Sequence, residues 1–310
     1  MTDAPSAPAV LVEGLRKTYG ATVAVDDVSL AVEHGEVLGI LGPNGAGKTT
    51  TVESIAGLRT GDAGRIRVHG LDPWTQRDAL VRVLGVQLQS SALQPKITVR
   101  EALELWTAFY DDPVPWGDLT DALGLTEHLD RRFLDLSGGQ QQRLSIALAL
   151  VGRPRVAILD ELSTGLDPRA RRDVWRLVRD LRDRGVTVLL VTHSMEEAQE
   201  LCDRIAIIDA GRVRALGTPD ELVRTSTAAT IVSFEVPGRA DLDVLRGLDG
   251  VTTVRVDDRR VVVEGAEDVV LAVLAALDAQ RVVPQRLRVA AGSLDTAYLD
   301  LTTTLTEETA

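Results

Sequence analysis

The sequence predicts an α/β domain with a mainly parallel sheet, followed by a small α+β unit. Three observations point there. Short, almost wholly apolar runs, EVLGIL (36–41), VAILD (156–160), VTVLLVT (186–192) and IAII (205–208), suit strands buried on both faces. Between them lie amphipathic helical patterns, and strands that alternate with helices argue a parallel sheet. After about residue 225 the pattern changes to strand, helix, two strands, helix, strand and a last helix.

Each element has a local reason. Residues 10–32 and 64–69 alternate apolar with polar side chains and are interrupted by Gly20 and by the turn around Gly61 and Gly64, as strands with one solvated face would be. After Pro168, Val174, Leu177, Val178 and Leu181 recur at helical spacing, while Arg171, Arg172, Arg176, Arg179 and Arg182 take the other positions. Residues 97–151 interrupt the alternation and read as wholly helical. Thr98 and Glu101 form a T-x-x-E helix start, and Val99, Ala102, Leu103, Trp106 and Phe109 continue it as an apolar stripe. The tail is expected as strand 229–236, helix 239–248, strands 251–256 and 260–264, helix 266–279, strand 282–290 and helix 294–302. This βαββαβ order is ferredoxin-like.

Composition narrows the function classes. The formal net charge is −12, the pI is 4.9 and only 3% of residues are aromatic, which weighs against a nucleic-acid binder. Cys202 is the only cysteine, so neither an intramolecular disulfide nor a cysteine zinc cluster is available. It falls in an expected helix, where it packs. The first ten residues have no basic and apolar leader, and no apolar run approaches the ~18 residues of a membrane span. A soluble, cytoplasmic protein is expected. His34, His69 and His128 lie outside every motif.

The sharpest local signal is GPNGAGKT, residues 42–49, a G-x-x-x-x-G-K-T phosphate loop placed between an apolar strand and a helical pattern. Gly42, Asn44, Gly45, Ala46 and Gly47 would present backbone N–H groups to phosphates, with Pro43, which has no N–H, shaping the turn and the helix N-terminus adding a favourable field. Lys48, one of only three lysines, would reach the β- and γ-phosphates, and Thr49, followed by Thr50, would supply a hydroxyl to Mg²⁺. The second signal is VAILDE, a buried strand ending in two carboxylates. Asp160 would hold Mg²⁺ and Glu161 would polarise the attacking water.

The third signal, LSGGQQQR (136–143), resembles the signature motif of ABC ATPases, and over roughly residues 8–225 the other landmarks follow in that family's order. The resemblance implies a phosphate-loop core at 8–225 with an antiparallel β subdomain and a helical subdomain at about 97–151; the change of pattern after residue 225 sets off an accessory domain at 226–304. It implies that Tyr19 stacks on adenine and that Gln89 touches Mg²⁺ and water, with Gln87 as a rival two residues earlier. It implies that Ser137, Gly138, Gly139 and Gln140 cap the γ-phosphate of the opposite subunit, that Asp167 crosses the dimer interface, and that His193 contacts the γ-phosphate. Where the family commonly has Pro-Thr after the catalytic glutamate, Leu162 and Ser163 stand here. The resemblance further implies ATP and Mg²⁺ as cofactors. The expected partners are a second ABC ATPase subunit, in a homodimer, and a separate integral membrane permease that holds the chain at the inner membrane face. The wording around Gln89 and the tail SLDTAYLDL are similar to export subunits of the daunorubicin-resistance type, which move drugs, lipids or polysaccharides. An importer subunit and a non-transport ABC ATPase are the alternatives.

Overall fold

From the N-terminus the chain forms β1 (Val10–Tyr19), β2 (Thr22–Val32), β3 (Val37–Leu41), α1 (Lys48–Ile55), β4 (Ala63–Val68), α2 (Arg77–Leu80) and β5 (Leu84–Gln87). The structure is a computed structural model and describes residues 7–88, 93–225, 230–236, 242–257, 260–266, 268–291 and 293–303. An insert follows with α3 (Val99–Thr107), α4 (Trp116–Ala122), two short 3-10 turns and α5 (Gly138–Leu150). The α/β alternation then resumes with β6 (Val156–Asp160), α6 (Pro168–Asp183), β7 (Thr187–Val191), α7 (Met195–Leu201), β8 (Arg204–Asp209) and β9 (Arg212–Gly217).

The apolar runs behave as expected of strands covered on both faces: every residue of β3, β6 and β7 is buried. They lie in a six-stranded sheet of order β5-β6-β7-β3-β8-β9, and the β5–β6, β6–β7, β7–β3 and β3–β8 pairs are parallel. The alternating segments form a separate antiparallel sheet, β2-β1-β4. One apolar core joins both layers through α1. It includes Leu15, Val28 and Ile66 of the antiparallel sheet, Val52 and Ile55 of α1, and Ile40, Ile158 and Leu189 of the parallel sheet. Each such side chain stabilises the fold by about 1.5–3 kcal/mol relative to exposure. The parallel register brings the C-terminal ends of β3, β6 and β7 to one edge, where open α/β sheets bind ligands.

The insert differs from expectation in detail. Thr98 and Glu101 form a reciprocal capping box, and Val99, Ala102 and Leu103 are buried. The apolar stripe then fails, because α3 ends at Thr107. Phe109 lies past the helix, is 71% exposed, and meets Trp106 edge-on at 6.4 Å.

By its internal contacts the chain divides into Met1–Leu216 and Gly217–Ala310. The second unit contains α8 (Pro219–Thr225), β10 (Thr230–Glu235), α9 (Asp243–Arg246), β11 (Val251–Asp257), β12 (Arg260–Gly265), α10 (Val269–Ala279), β13 (Gln285–Ala291) and α11 (Leu294–Thr303). Here α8 groups with the tail and packs on α11, although the sequence reading placed it before the domain boundary. The sheet order β11-β12-β10-β13, antiparallel throughout, is the ferredoxin-like order. Val232, Phe234, Val261 and Val263 alternate onto the face covered by Val269, Val273 and Leu277 of α10. The first tail helix is a single turn, α9, where residues 239–248 were expected to be helical; residues 239–241 lie outside the described residues.

Candidate nucleotide site

The loop between β3 and α1 runs so close to its neighbours that two of its glycines are obligatory. A Cβ on Gly42 would stand 2.0 Å from the Ile208 carbonyl oxygen, and one on Gly47, at φ 98°, would stand 2.3 Å from that of Ala24. Both glycines thus let the loop backbone pack directly against neighbouring backbone, and the loop leads into the N-terminus of α1, where an anion is favoured. Lys48 Nζ donates to the carbonyls of Gly42 (2.7 Å) and Pro43 (2.9 Å). Burial lowers the Lys48 pKa, while the charges of Asp160 and Glu161 raise it in opposition, which places both carboxylates within electrostatic reach of the ammonium. A cleft of about 340 Å³ opens here, lined by Tyr19, residues 44–50, Asp160, Glu161 and Thr192, among others. Tyr19, at the end of β1, is 42% exposed and has Lys17 Nζ 5.7 Å and the Arg59 guanidinium 5.6 Å from its ring.

Asp160 ends β6 and is 3% exposed. Its backbone is clamped by buried Gln87, whose Oε1 accepts from Asp160 N (3.1 Å) while its Nε2 donates to the Asp160 carbonyl (3.0 Å). With its amide committed to this clamp, Gln87 is a support for the strand end. Gln89 lies outside the described residues. Glu161 adopts φ 52°, left-handed for a non-glycine residue, and is held there by its N–H to the Val191 carbonyl (2.8 Å) and by Gln142 Nε2 on its own carbonyl (3.1 Å). Leu162, at the family's proline position, is fully buried, so packing anchors the turn where a ring would otherwise restrict it. His193 Nδ1 lies 3.4 Å from Glu161 Oε1.

The oxygen donors suit Mg²⁺. One carboxylate from Asp160 with the neighbouring Thr49 hydroxyl fits an ion that takes few protein ligands and completes its shell with phosphates and water. Among the described residues no cluster of three or more His, Cys, Asp or Glu forms a cage of its own.

Ser137 N-caps α5: its hydroxyl accepts from Gln140 N (3.3 Å), and Gln140 Oε1 accepts from Ser137 N (2.9 Å). Gly138 has open space beside it, whereas a Cβ on Gly139 would stand 3.1 Å from Leu166. Asp167 N-caps α6 through Arg169 N and Ala170 N, and these bonds, first that from Ala170, hold its carboxyl below the usual range. None of Ser137, Gly138, Gly139, Gln140 or Asp167 lines the cleft. One copy thus brings together the loop, Tyr19, Asp160, Glu161 and His193, and leaves the signature residues elsewhere. The sequence reading missed Gln87 and Gln142 as supports. In the QQQ run of 140–142, which glutamine faces the Glu161 turn depends on the helical phase set by the Ser137 cap.

Residues 25–164 match the ABC transporter family. The chain is 41% identical over 249 residues to the Nod factor export ATP-binding protein I of Ralstonia nicotianae, covering 78% of this chain and 76% of that one. It is 34% identical over 301 residues to the linearmycin resistance ATP-binding protein LnrL of Bacillus subtilis, covering 94% and 97%. Among solved structures, an ATP-binding subunit of an ABC transporter aligns with a TM-score of 0.66 at 29% identity, over 70% of this chain and 92% of that one. A dimeric ATP-binding cassette bound to ADP and Pi aligns with a TM-score of 0.61 at 27% identity, over 67% and 98%. No helix among the described residues is long and apolar enough to cross a membrane. Fold, site and relatives agree that this chain is an ATP-binding and ATP-hydrolysing subunit of the ABC transporter family.

Proposed function

We propose that two copies of the chain close head to tail on two ATP molecules and drive a separate membrane permease that exports a drug, lipid or polysaccharide. The observation that carries this reading is the separation described above: the cleft of one copy holds the loop and both carboxylates but none of the signature residues. The relatives named for Nod factor export and linearmycin resistance support export. The working position is the inner face of the cell membrane, reached through the permease, with the helical insert and the Gln89–Lys96 stretch as the docking region.

In this reading Tyr19 stacks on the adenine, and the N–H groups of residues 44–50 wrap the phosphates. Lys48 leaves the Gly42 and Pro43 carbonyls for the β- and γ-phosphate oxygens. Thr49, Asp160 and Gln89 would hold Mg²⁺, which when bound would supply further charge compensation for the phosphates. Glu161 orients the attacking water and accepts its proton, while His193, beside it, touches the γ-phosphate. Ser137, Gly138, Gly139 and Gln140 of the partner subunit close the other side, and Asp167 meets the interface. The chemistry is positioning and charge stabilisation throughout.

A complementation experiment tests the shared site. Lys48→Ala should lose ATP affinity in the isolated chain, whereas Ser137→Arg should keep affinity and lose cooperative hydrolysis. A mixture should regain activity, since one of the two sites in each mixed dimer has an intact loop facing an intact signature. Mixed dimers demonstrated by differential tagging yet inactive at every ratio would sink the reading.

A further inference from the structure

Among the described residues four helices begin with S/T-x-x-E/Q, and three of them use the pattern in the same way. Thr98 N donates to Glu101 Oε2 (2.8 Å), Ser137 N to Gln140 Oε1 (2.9 Å) and Thr218 N to Glu221 Oε2 (2.9 Å), each closing a reciprocal capping box. The fourth, Ser194 with Glu197 at the start of α7, breaks the rule. Ser194 Oγ accepts from Glu197 N (3.3 Å), but the Glu197 side chain does not return to Ser194 N. Instead it turns inward, is 0% exposed, and accepts at Oε1 from the indole N–H of Trp175 on α6 (3.0 Å). Its Oε2 is buried without a hydrogen-bond partner. Burying a carboxylate with one unsatisfied oxygen is unfavourable, and an exposed capping box was available to the same residue at no such penalty.

The diversion has two geometric results beside the reaction centre. First, Ser194 N is left for Thr192 Oγ1 (3.0 Å), which closes a tight turn whose central residue is His193. Thr192 itself is 2% exposed and lines the nucleotide cleft. Second, the Trp175–Glu197 bond pins α7, which follows His193, to α6, which Asp167 caps. Arg171, one turn before Trp175 on α6, lies with its guanidinium 5.2 Å from the indole centroid and pairs with Glu196 Oε2 (3.2 Å).

We propose that Glu197 is a positioning residue for hydrolysis: clamped by Trp175, it fixes the turn that sets His193 against Glu161 and ties that turn to the helix that Asp167 caps. The inference rests on the reading of Glu161 and His193 given above and adds a residue to it. Glu197 touches no reacting atom and acts only through the backbone of residues 192–194.

The test uses the full-length protein and five variants: Glu197→Ala, Glu197→Gln, Trp175→Phe, the Trp175→Phe/Glu197→Ala double and Glu161→Gln. ATP affinity is measured by equilibrium titration, kcat and KM by phosphate release, and Tm to choose a temperature at which every variant is folded. Glu197→Ala should lower kcat roughly 10- to 100-fold, the scale of an ångström-level misplacement, while ATP affinity stays within about twofold. Glu197→Gln keeps an acceptor for the indole and should retain most of kcat. Trp175→Phe should reduce kcat, and the Trp175→Phe/Glu197→Ala double variant should be no slower than Glu197→Ala, since the two residues act as one clamp. Wild-type kcat in Glu197→Ala with only a lowered Tm would overturn the proposal as a purely structural effect. So would effects of the two residues that multiply, or a glutamine variant as slow as the alanine one. If Glu197→Ala does not fold, Trp175→Phe decides alone, and unchanged kcat there overturns the proposal. A Glu161→Gln variant that hydrolyses normally would instead sink the underlying site, so the two failures are distinguishable.

Discussion

Glu161 sits in the left-handed region at φ 52°, a conformation that costs a non-glycine residue about 1–3 kcal/mol and persists only where neighbours enforce it. The Val191 carbonyl and the Gln142 amide are the enforcers, and both grip the backbone, so the side chain can change without releasing the turn. Glu161→Gln should therefore fold and bind ATP normally while turnover falls about 10²- to 10⁴-fold, the usual worth of a general base. With ATP it should elute as a dimer in size exclusion, and near-normal hydrolysis would remove Glu161 from its role. Cys202, one residue beyond α7, presents the opposite case of a group made inert by its setting. Burial first, then the charges of Glu197, Asp203 and Glu36, push its thiol well above the ordinary range. It should resist alkylation by iodoacetamide at pH 8 in the native protein and react once the chain is unfolded in urea; rapid native labelling would contradict its burial. The placement of Lys48, Thr49, Asp160 and Glu161 around one cleft was legible in the sequence, because it follows from a strand end or a helix start alone. Glu197 was not, because its pattern reads as a cap and only Trp175, 22 residues earlier, reveals where the carboxylate goes.

Elements were legible where an apolar run was long enough to exclude other structures. β3, β6, β7 and β8 appear within a residue or so of their expected limits, whereas β5, with four residues, and β9, with alternating arginines, gave no comparable signal. What joins β1 to β4 beside Tyr19 was equally hidden. The Asp62 carboxylate, in the turn before β4, accepts from Lys17 Nζ (2.8 Å), Thr18 Oγ1 (2.7 Å) and Thr18 N (2.7 Å) at the end of β1. These bonds, led by that from Lys17, lower its pKa from 3.8 to about 2. Because the folded-state value is the depressed one, the stabilisation is fully present above about pH 4 and is lost as pH falls toward about 2. Asp62→Asn should melt lower than wild type at neutral pH, with the difference closing across that acid window in thermal melts. A difference that persists unchanged at pH 2 would assign the effect to packing instead.

At the scale of the molecule, all the residues that line the cleft lie upstream of Leu216, and the second unit has a core of its own around Phe234, Val263 and Val273. A chain ending at Thr218 retains β9 and should fold and bind ATP with the affinity of the full-length protein. Aggregation of that chain, or a loss of affinity in a well-folded product, would place the boundary elsewhere. The βαββαβ alternation of the tail was visible in the sequence, and its ferredoxin-like reading carried the sheet order, although pairing β10 between β12 and β13 joins segments far apart in the chain. The absence of the Ser137 helix start from the cleft of a single copy bears on how the protein behaves on dilution. If a competent site exists only while two chains are together, specific activity is not a constant of the molecule. Below the dissociation constant of the ATP-bound pair, the total rate should fall as the square of protein concentration, so that halving the amount of protein leaves about a quarter of the turnover.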